Sequence, residues 1–117
     1  MNAMTAPKSF SQTSVENGKV YFNGHVAVLV SRGFGAGWST WNTDVKCLFT
    51  PEVVKQVMEG TATEFSLKQV YEPERVYVGG LDGLCVVWLK VGTKFRVTEY
   101  DGAEGLETLD GTKWETA

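Results

Sequence analysis

The segment from Lys19 to Arg32 constrains this chain more than any other. Lys19-Val20-Tyr21-Phe22 and His25-Val26-Ala27-Val28-Leu29-Val30-Ser31-Arg32 flank Asn23-Gly24, a dipeptide that accepts the positive φ angles at both central positions of a type I′ turn. A β-hairpin is predicted. Its second strand is apolar on both alternating sets, Val26/Val28/Val30 and Ala27/Leu29. Successive side chains of a strand point to opposite faces, so this strand has to be covered on both sides. It is read as the central strand. Residues 1–18 are rich in Ser, Thr, Asn and Gln without sustained periodicity, and are read as a flexible arm.

Helix signals follow. Thr50-Pro51-Glu52 supplies a hydroxyl cap, a proline at the first helical position and an acid near the positive end of the dipole. Val53, Val54, Val57 and Met58 then share one face, and Gly60 ends the helix. Thr61 and Glu64 stand at capping-box spacing before Leu67, Val70 and Tyr71, with Pro73 closing a second helix. Strands are predicted at Arg75–Val78, Leu84–Val91, Lys94–Tyr100 and Glu104–Leu109, with Thr112–Glu115 as an addition, separated by Gly79-Gly80, Asp82-Gly83, Gly92, Asp101-Gly102 and Asp110-Gly111. Grouped rather than alternating elements define an α+β class: a mainly antiparallel sheet of five to six strands with two short consecutive helices, in the order ββααβββ(β). Residues 19–117 form a single domain, because two halves of a 117-residue chain would each be too small for a self-sufficient core.

A net charge of −3 argues against a protein that binds nucleic acid by neutralising phosphates. The charge is uneven. Glu99, Asp101, Glu104, Glu107, Asp110 and Glu115 face Lys113 alone at the end of the chain, leaving the first 98 residues at about +2, and this run is read as a solvated acidic edge. Cys47 and Cys85 lie in apolar surroundings and read as reduced thiols. No apolar stretch approaches the length of a membrane span, so a soluble protein of the cytoplasm is expected, with no membrane partner.

The candidate site is the stretch Arg32-Gly33-Phe34-Gly35-Ala36-Gly37-Trp38-Ser39-Thr40-Trp41-Asn42, which leaves the central strand. Three glycines in five residues let backbone N–H groups converge into an anion-binding nest. Stacking rings and a guanidinium beside such a nest are the parts that hold a nucleotide or another flat anion. In that reading Arg32 and the N–H groups of Gly35, Ala36 and Gly37 hold the anion, and Phe34, Trp38 and Trp41 stack. Ser39, Thr40 and Asn42 add hydrogen bonds, with Tyr100 and Asp101 as further candidates. Two other readings stand beside it: a structural crossover with the tryptophans in the core, and a protein-binding surface.

Familiar chemistry finds little support. The third glycine comes one position early for the dinucleotide fingerprint, no lysine stands at P-loop spacing, and Ala36 and Gly37 break the RNA-recognition octamer. His25 is the only histidine and the cysteines lack metal-ligand spacing, so neither a metal nor a cofactor is expected. Asp82, Glu99, Asp101 and Glu104 all fall at turns or strand ends, where carboxylates can converge for acid–base work. Arg32, Ser39-Thr40 and Glu99 also follow the order used by ADP-ribosyltransferases, a remote enzyme alternative.

Taken together, Gly33 to Asn42, Gly79-Gly80-Leu81-Asp82-Gly83-Leu84, and Gly92-Thr93-Lys94-Phe95-Arg96 with Glu99-Tyr100-Asp101-Gly102 resemble a family of small uncharacterised proteins of tailed phages, over roughly residues 20–110. The resemblance carries no assigned activity. Its origin implies a protein that acts against the host. One form is a non-catalytic, homo-oligomeric binder that sequesters a small anionic or nucleotide-derived defence signal. The other is an inhibitor that docks on a host macromolecule.

Overall fold

The computed structural model describes residues 6–32, 37–42, 45–72, 78, 80–100, 103–108 and 115–117. Seven strands and three helices lie among them: β1 (Ser14–Glu16), β2 (Lys19–Phe22), β3 (His25–Ser31), α1 (Ser39–Asn42), α2 (Pro51–Glu59), α3 (Glu64–Tyr71), β4 (Leu84–Lys90), β5 (Lys94–Tyr100), β6 (Ala103–Thr108) and β7 (Glu115–Thr116). Short 3₁₀ turns cover Phe10–Gln12, Val45–Leu48 and Leu81–Gly83. The class is α+β with antiparallel pairing throughout. The strands divide between two sheets, ordered β1-β2-β3-β4 and β6-β5-β7, rather than forming one.

The predicted hairpin is present, with Phe22 opposite His25 and positive φ at Asn23 and Gly24. Asn17 and Gly18 repeat the same turn (φ 52° and 75°), so β1 pairs with β2 and order begins before Lys19. The expected arm over 1–18 is corrected to that extent: Ser14–Glu16 is a strand, held to β2 by this second Asn-Gly turn.

β3 is central, as its composition requires. Val26, Ala27, Val28, Leu29 and Val30 are all fully buried, the three valines and Leu29 each contributing about 1.5–3 kcal/mol of transfer free energy. Ala27 and Leu29 meet Trp38, Cys47, Val53, Val54, Leu67 and Tyr71 in one core. Val26, Val28 and Val30 meet Leu48, Phe49, Phe95 and Ala117 in another, joined at its margin by Val97 and Leu106. Helices α2 and α3 therefore cover one face of the larger sheet and the smaller sheet covers the other. Gly92 (φ 89°) sits in the turn where the chain passes from β4 in one sheet to β5 in the other.

α2 starts at Pro51 and stops at Gly60, whose φ of 71° is the left-handed cap a glycine accepts. α3 is capped by Thr63 rather than Thr61: the Thr63 hydroxyl accepts from the Ser66 N–H, and the Ser66 hydroxyl accepts from the Thr63 N–H. The strand expected at 75–78 lies outside the described residues except for Val78, which is buried in the helix-side core. The strand expected at 112–115 is likewise outside them up to Glu115.

Candidate functional site

The Gly/Trp segment leaves β3 at its buried end and, instead of remaining irregular, makes one helical turn, α1. A helix start leaves its first N–H groups without intrahelical acceptors, and the positive end of its dipole favours an anion. Here the anion is a side chain of the protein itself. Glu104, on β6 and only 4% exposed, places Oε2 at 2.7 Å from the Trp38 N–H donor and 3.0 Å from that of Thr40. The Thr40 hydroxyl donates to the same oxygen at 2.6 Å, and the Ser31 N–H donates to Oε1 at 2.8 Å.

A carboxylate has only acceptors, so four donors from three residues are what its burial demands. Among the described residues no lysine or arginine pairs with it. The charge is compensated by oriented N–H groups and a hydroxyl, the arrangement expected of a nest. One carboxylate thereby ties β6 to the end of β3 and to the start of α1.

Gly80 closes the other side. The Ser31 hydroxyl donates to its carbonyl at 2.6 Å, and a Cβ at position 80 would collide with the Gly37 carbonyl oxygen and crowd Ser31 Oγ. Glycine is required there by close backbone approach, not by φ. Ser31, Gly37, Trp38, Thr40, Gly80 and Glu104 thus converge on one buried polar knot, at the end of β3.

The sequence-predicted residues fare differently. Trp38 is fully buried, with its Nε1–H donating to the Cys47 carbonyl at 2.7 Å and its ring tilted against Tyr71 at 6.2 Å. It has no face left for a ligand, which corrects its reading as a stacking ring. Ser39 is buried, Thr40 gives both its N–H and hydroxyl to Glu104, and the Asn42 amide donates to the Trp38 carbonyl at 3.0 Å. Gly37 is buried against Gly80. Arg32 alone among these has an exposed side chain, on a backbone fixed by donation to the Gly83 carbonyl at 2.9 Å. Trp41 lies in α1 and Tyr100 ends β5 opposite Ala103, with side chains that are not described. Phe34, Gly35, Ala36 and Asp101 lie outside the described residues.

The acidic run is not uniformly solvated. Glu107 is, in an exposed pair with Arg96 at 3.1 Å, whereas Glu104 is interior. Glu104 was detectable by phase: β6 aligns Leu106 with Val97 and Glu104 with Glu99, so Glu104 continues the face on which Val97 and Leu106 reach the core. An acid on an inward face needs donors. Of the residues in the transferase-like order, Thr40 serves Glu104, while Arg32 and Glu99 are exposed, with Glu99 opposite Glu104 in the β5–β6 pairing.

Other candidate chemistry is quiet. His25 begins β3 with Nδ1 at 2.8 Å from the Asn23 carbonyl, a turn-closing contact. No disulfide joins Cys47, which is buried, to Cys85, which is half-buried. No group of three His, Cys, Asp or Glu among the described residues is placed to hold a metal, and no described helix is long and apolar enough to cross a membrane. An open groove of about 280 Å³ lies outside the Gly/Trp segment, lined by Lys46, Thr50, Pro51, Val70, Tyr71 and Glu72 with Gly18 at its edge. Its floor is fixed by the Tyr71 hydroxyl donating to Thr50 Oγ1 at 2.8 Å, which donates in turn to the Lys46 carbonyl.

No family model, curated protein or solved structure matches the chain.

Proposed function

We propose that the protein is a non-catalytic interaction protein that docks on another macromolecule through the surface around the exposed Arg32, where the Gly/Trp segment leaves β3, with Arg32 as its charged anchor. The observation that carries this reading is the Glu104 carboxylate. The N–H groups of Ser31, Trp38 and Thr40 are already bonded to an internal anion, so a second anion would meet like charge and committed donors. A segment pinned in this way is preorganised, and docking through it avoids the cost of ordering a loop. Arginine suits such an anchor because its fork binds carboxylates bidentately and its plane stacks on aromatic rings. The resemblance to small tailed-phage proteins makes a bacterial host protein the expected partner, and blunting of a host function the expected consequence.

Sequestration of a small nucleotide-like ligand is the second reading, and the groove beside Lys46 and Tyr71 is what favours it. The two readings separate in one set of measurements. Thermal-shift screening of cyclic nucleotides and ADP-ribose derivatives is run on the wild type, Arg32→Glu and Lys46→Glu, beside binding to host proteins recovered in stoichiometric amount. Docking predicts no nucleotide shift, with host-protein binding lost in Arg32→Glu and kept in Lys46→Glu. A nucleotide shift abolished by Lys46→Glu and kept in Arg32→Glu would overturn docking in favour of sequestration.

A further inference from the structure

β4 is the last strand of its sheet among the described residues. A terminal strand gives alternate residues' N–H and C=O groups to its neighbour and turns the others outward. Two bonds flanking the β3–β4 ladder fix which are which. The Arg32 N–H donates to the Gly83 carbonyl at 2.9 Å and the Val91 N–H to the Gly24 carbonyl at 2.8 Å. With Ser31 opposite Leu84 and His25 opposite Lys90, Cys85, Val87 and Leu89 are in phase with those bonded positions and face β3. Leu84, Val86, Trp88 and Lys90 turn their backbone groups away from it.

Two of the outward groups are satisfied locally: the Leu84 N–H donates to the Leu81 carbonyl, and the Lys90 carbonyl accepts from Thr93 at 3.0 Å. The remainder, which have no partner among the described residues, are the Leu84 carbonyl, both groups of Val86, both groups of Trp88, and the Lys90 N–H. Edge strands are ordinarily protected by charge, proline or a bulge. Leu84-Cys85-Val86-Val87-Trp88-Leu89 has none of these, and all six are half-buried.

We infer that β4 pairs antiparallel with β4 of a second copy of this chain, about a two-fold axis through Val87. In that register Val86 of one copy lies opposite Trp88 of the other, and Leu84 opposite Lys90. Val86 and Trp88 exchange both bonds at each of two sites, and each Lys90 N–H donates to the Leu84 carbonyl of the other copy. The two groups this register would otherwise join, the Leu84 N–H and the Lys90 carbonyl, are the two already satisfied within the chain. Moving the axis two residues either way leaves Val86 or Trp88 without a strand residue opposite. The self-complementary pattern is the isologous contact that a two-fold dimer needs, and it joins two four-stranded sheets into one. It is independent of the docking surface at Arg32.

The test combines sedimentation equilibrium with residue-resolved amide exchange on the whole chain. A particle of twice 12.9 kDa is expected, in which the Val86, Trp88 and Lys90 amides exchange on the order of a hundredfold more slowly than in the diluted monomer. Cys85, Val87 and Leu89 stay protected in both states through β3. Val86→Pro removes an outward N–H and leaves the β3–β4 bonds in place, trims one side chain at the margin of the helix-side core, and is expected to give a folded monomer. A 12.9 kDa particle at every concentration would overturn the inference. So would a wild-type dimer whose Val86 and Trp88 amides exchange freely, or a folded Val86→Pro variant that still dimerises. A monomer in which these amides gain protection only when another protein is added would replace the second copy by a strand of that protein.

Discussion

Replacing Glu104 by glutamine keeps the shape of the side chain and changes one oxygen into a donor. In the better of its two orientations the amide oxygen takes the place of Oε2 and still faces Trp38 N–H, Thr40 N–H and the Thr40 hydroxyl. The amide NH₂ then points at the Ser31 N–H, donor against donor, in a buried place. Loss of that charge-assisted bond costs about 1.5–3 kcal/mol, and the three retained bonds weaken as they become neutral. Relief of the cost of burying a charge offsets part of this, leaving a net destabilisation of about 2–4 kcal/mol. For a domain of this size that is a fall in Tm of about 8–15 °C. The assay is urea and thermal unfolding followed by far-UV circular dichroism, with Glu107→Gln as a control that removes only an exposed pair worth about 0–1 kcal/mol. A Glu104→Gln variant that melts within about 2 °C of the wild type would refute the assignment of Glu104 as the anion of the nest.

Two further substitutions probe the same account. Gly80→Ala drives a methyl into the Gly37 carbonyl and Ser31 Oγ, and is expected to destabilise by about 1–3 kcal/mol in the same unfolding assay; full stability would mean that the two segments do not pack as described. Thr63→Ala removes the acceptor that caps α3 and is expected to cost about 1 kcal/mol, whereas Thr61→Ala, at the position first indicated by the sequence, is expected to be close to neutral.

Much of the scaffold was readable because local chemistry and tertiary demand agree there. Asn23-Gly24 specifies a turn by its own φ preferences, and Val26 to Val30 are apolar on both faces because both faces are covered. Pro51 and Gly60 bound α2 for reasons confined to the helix itself, whereas the hydroxyl cap expected of Thr50 is not made, because that hydroxyl donates to the Lys46 carbonyl instead. Asn17-Gly18 carries the same turn signal as Asn23-Gly24, yet the strand before it, Ser14-Val15-Glu16, is exposed along its length and lacks the apolar alternation that marks a strand. The α3 cap escaped because Ser66 stands where the usual pattern has Glu or Gln.

The candidate site was half legible. Convergent N–H groups around a negative charge do form beside the glycines, but they come from Ser31, Trp38 and Thr40, and Arg32 spends its own N–H on the Gly83 carbonyl. What its own residues could not reveal was the owner of that charge, because Glu104 arrives from more than 60 positions away in sequence. Its contribution depends on the phase of β6 against β5 and on a second sheet packed across β3, neither of which is a local property. Trp38 was ambiguous for the same reason: only the position of the Cys47 carbonyl decides that its ring N–H is satisfied inside the protein.

The most direct measurement of the central claim is an NMR titration of the wild-type chain with inorganic phosphate and a nucleoside diphosphate, read at the Ser31, Trp38 and Thr40 amides. If Glu104 fills the nest, these three exchange slowly before any addition, and their shifts stay fixed as the anions are added. Fast exchange in the free protein, with saturable shifts on titration, would show that the nest is open to a ligand and would contradict the account.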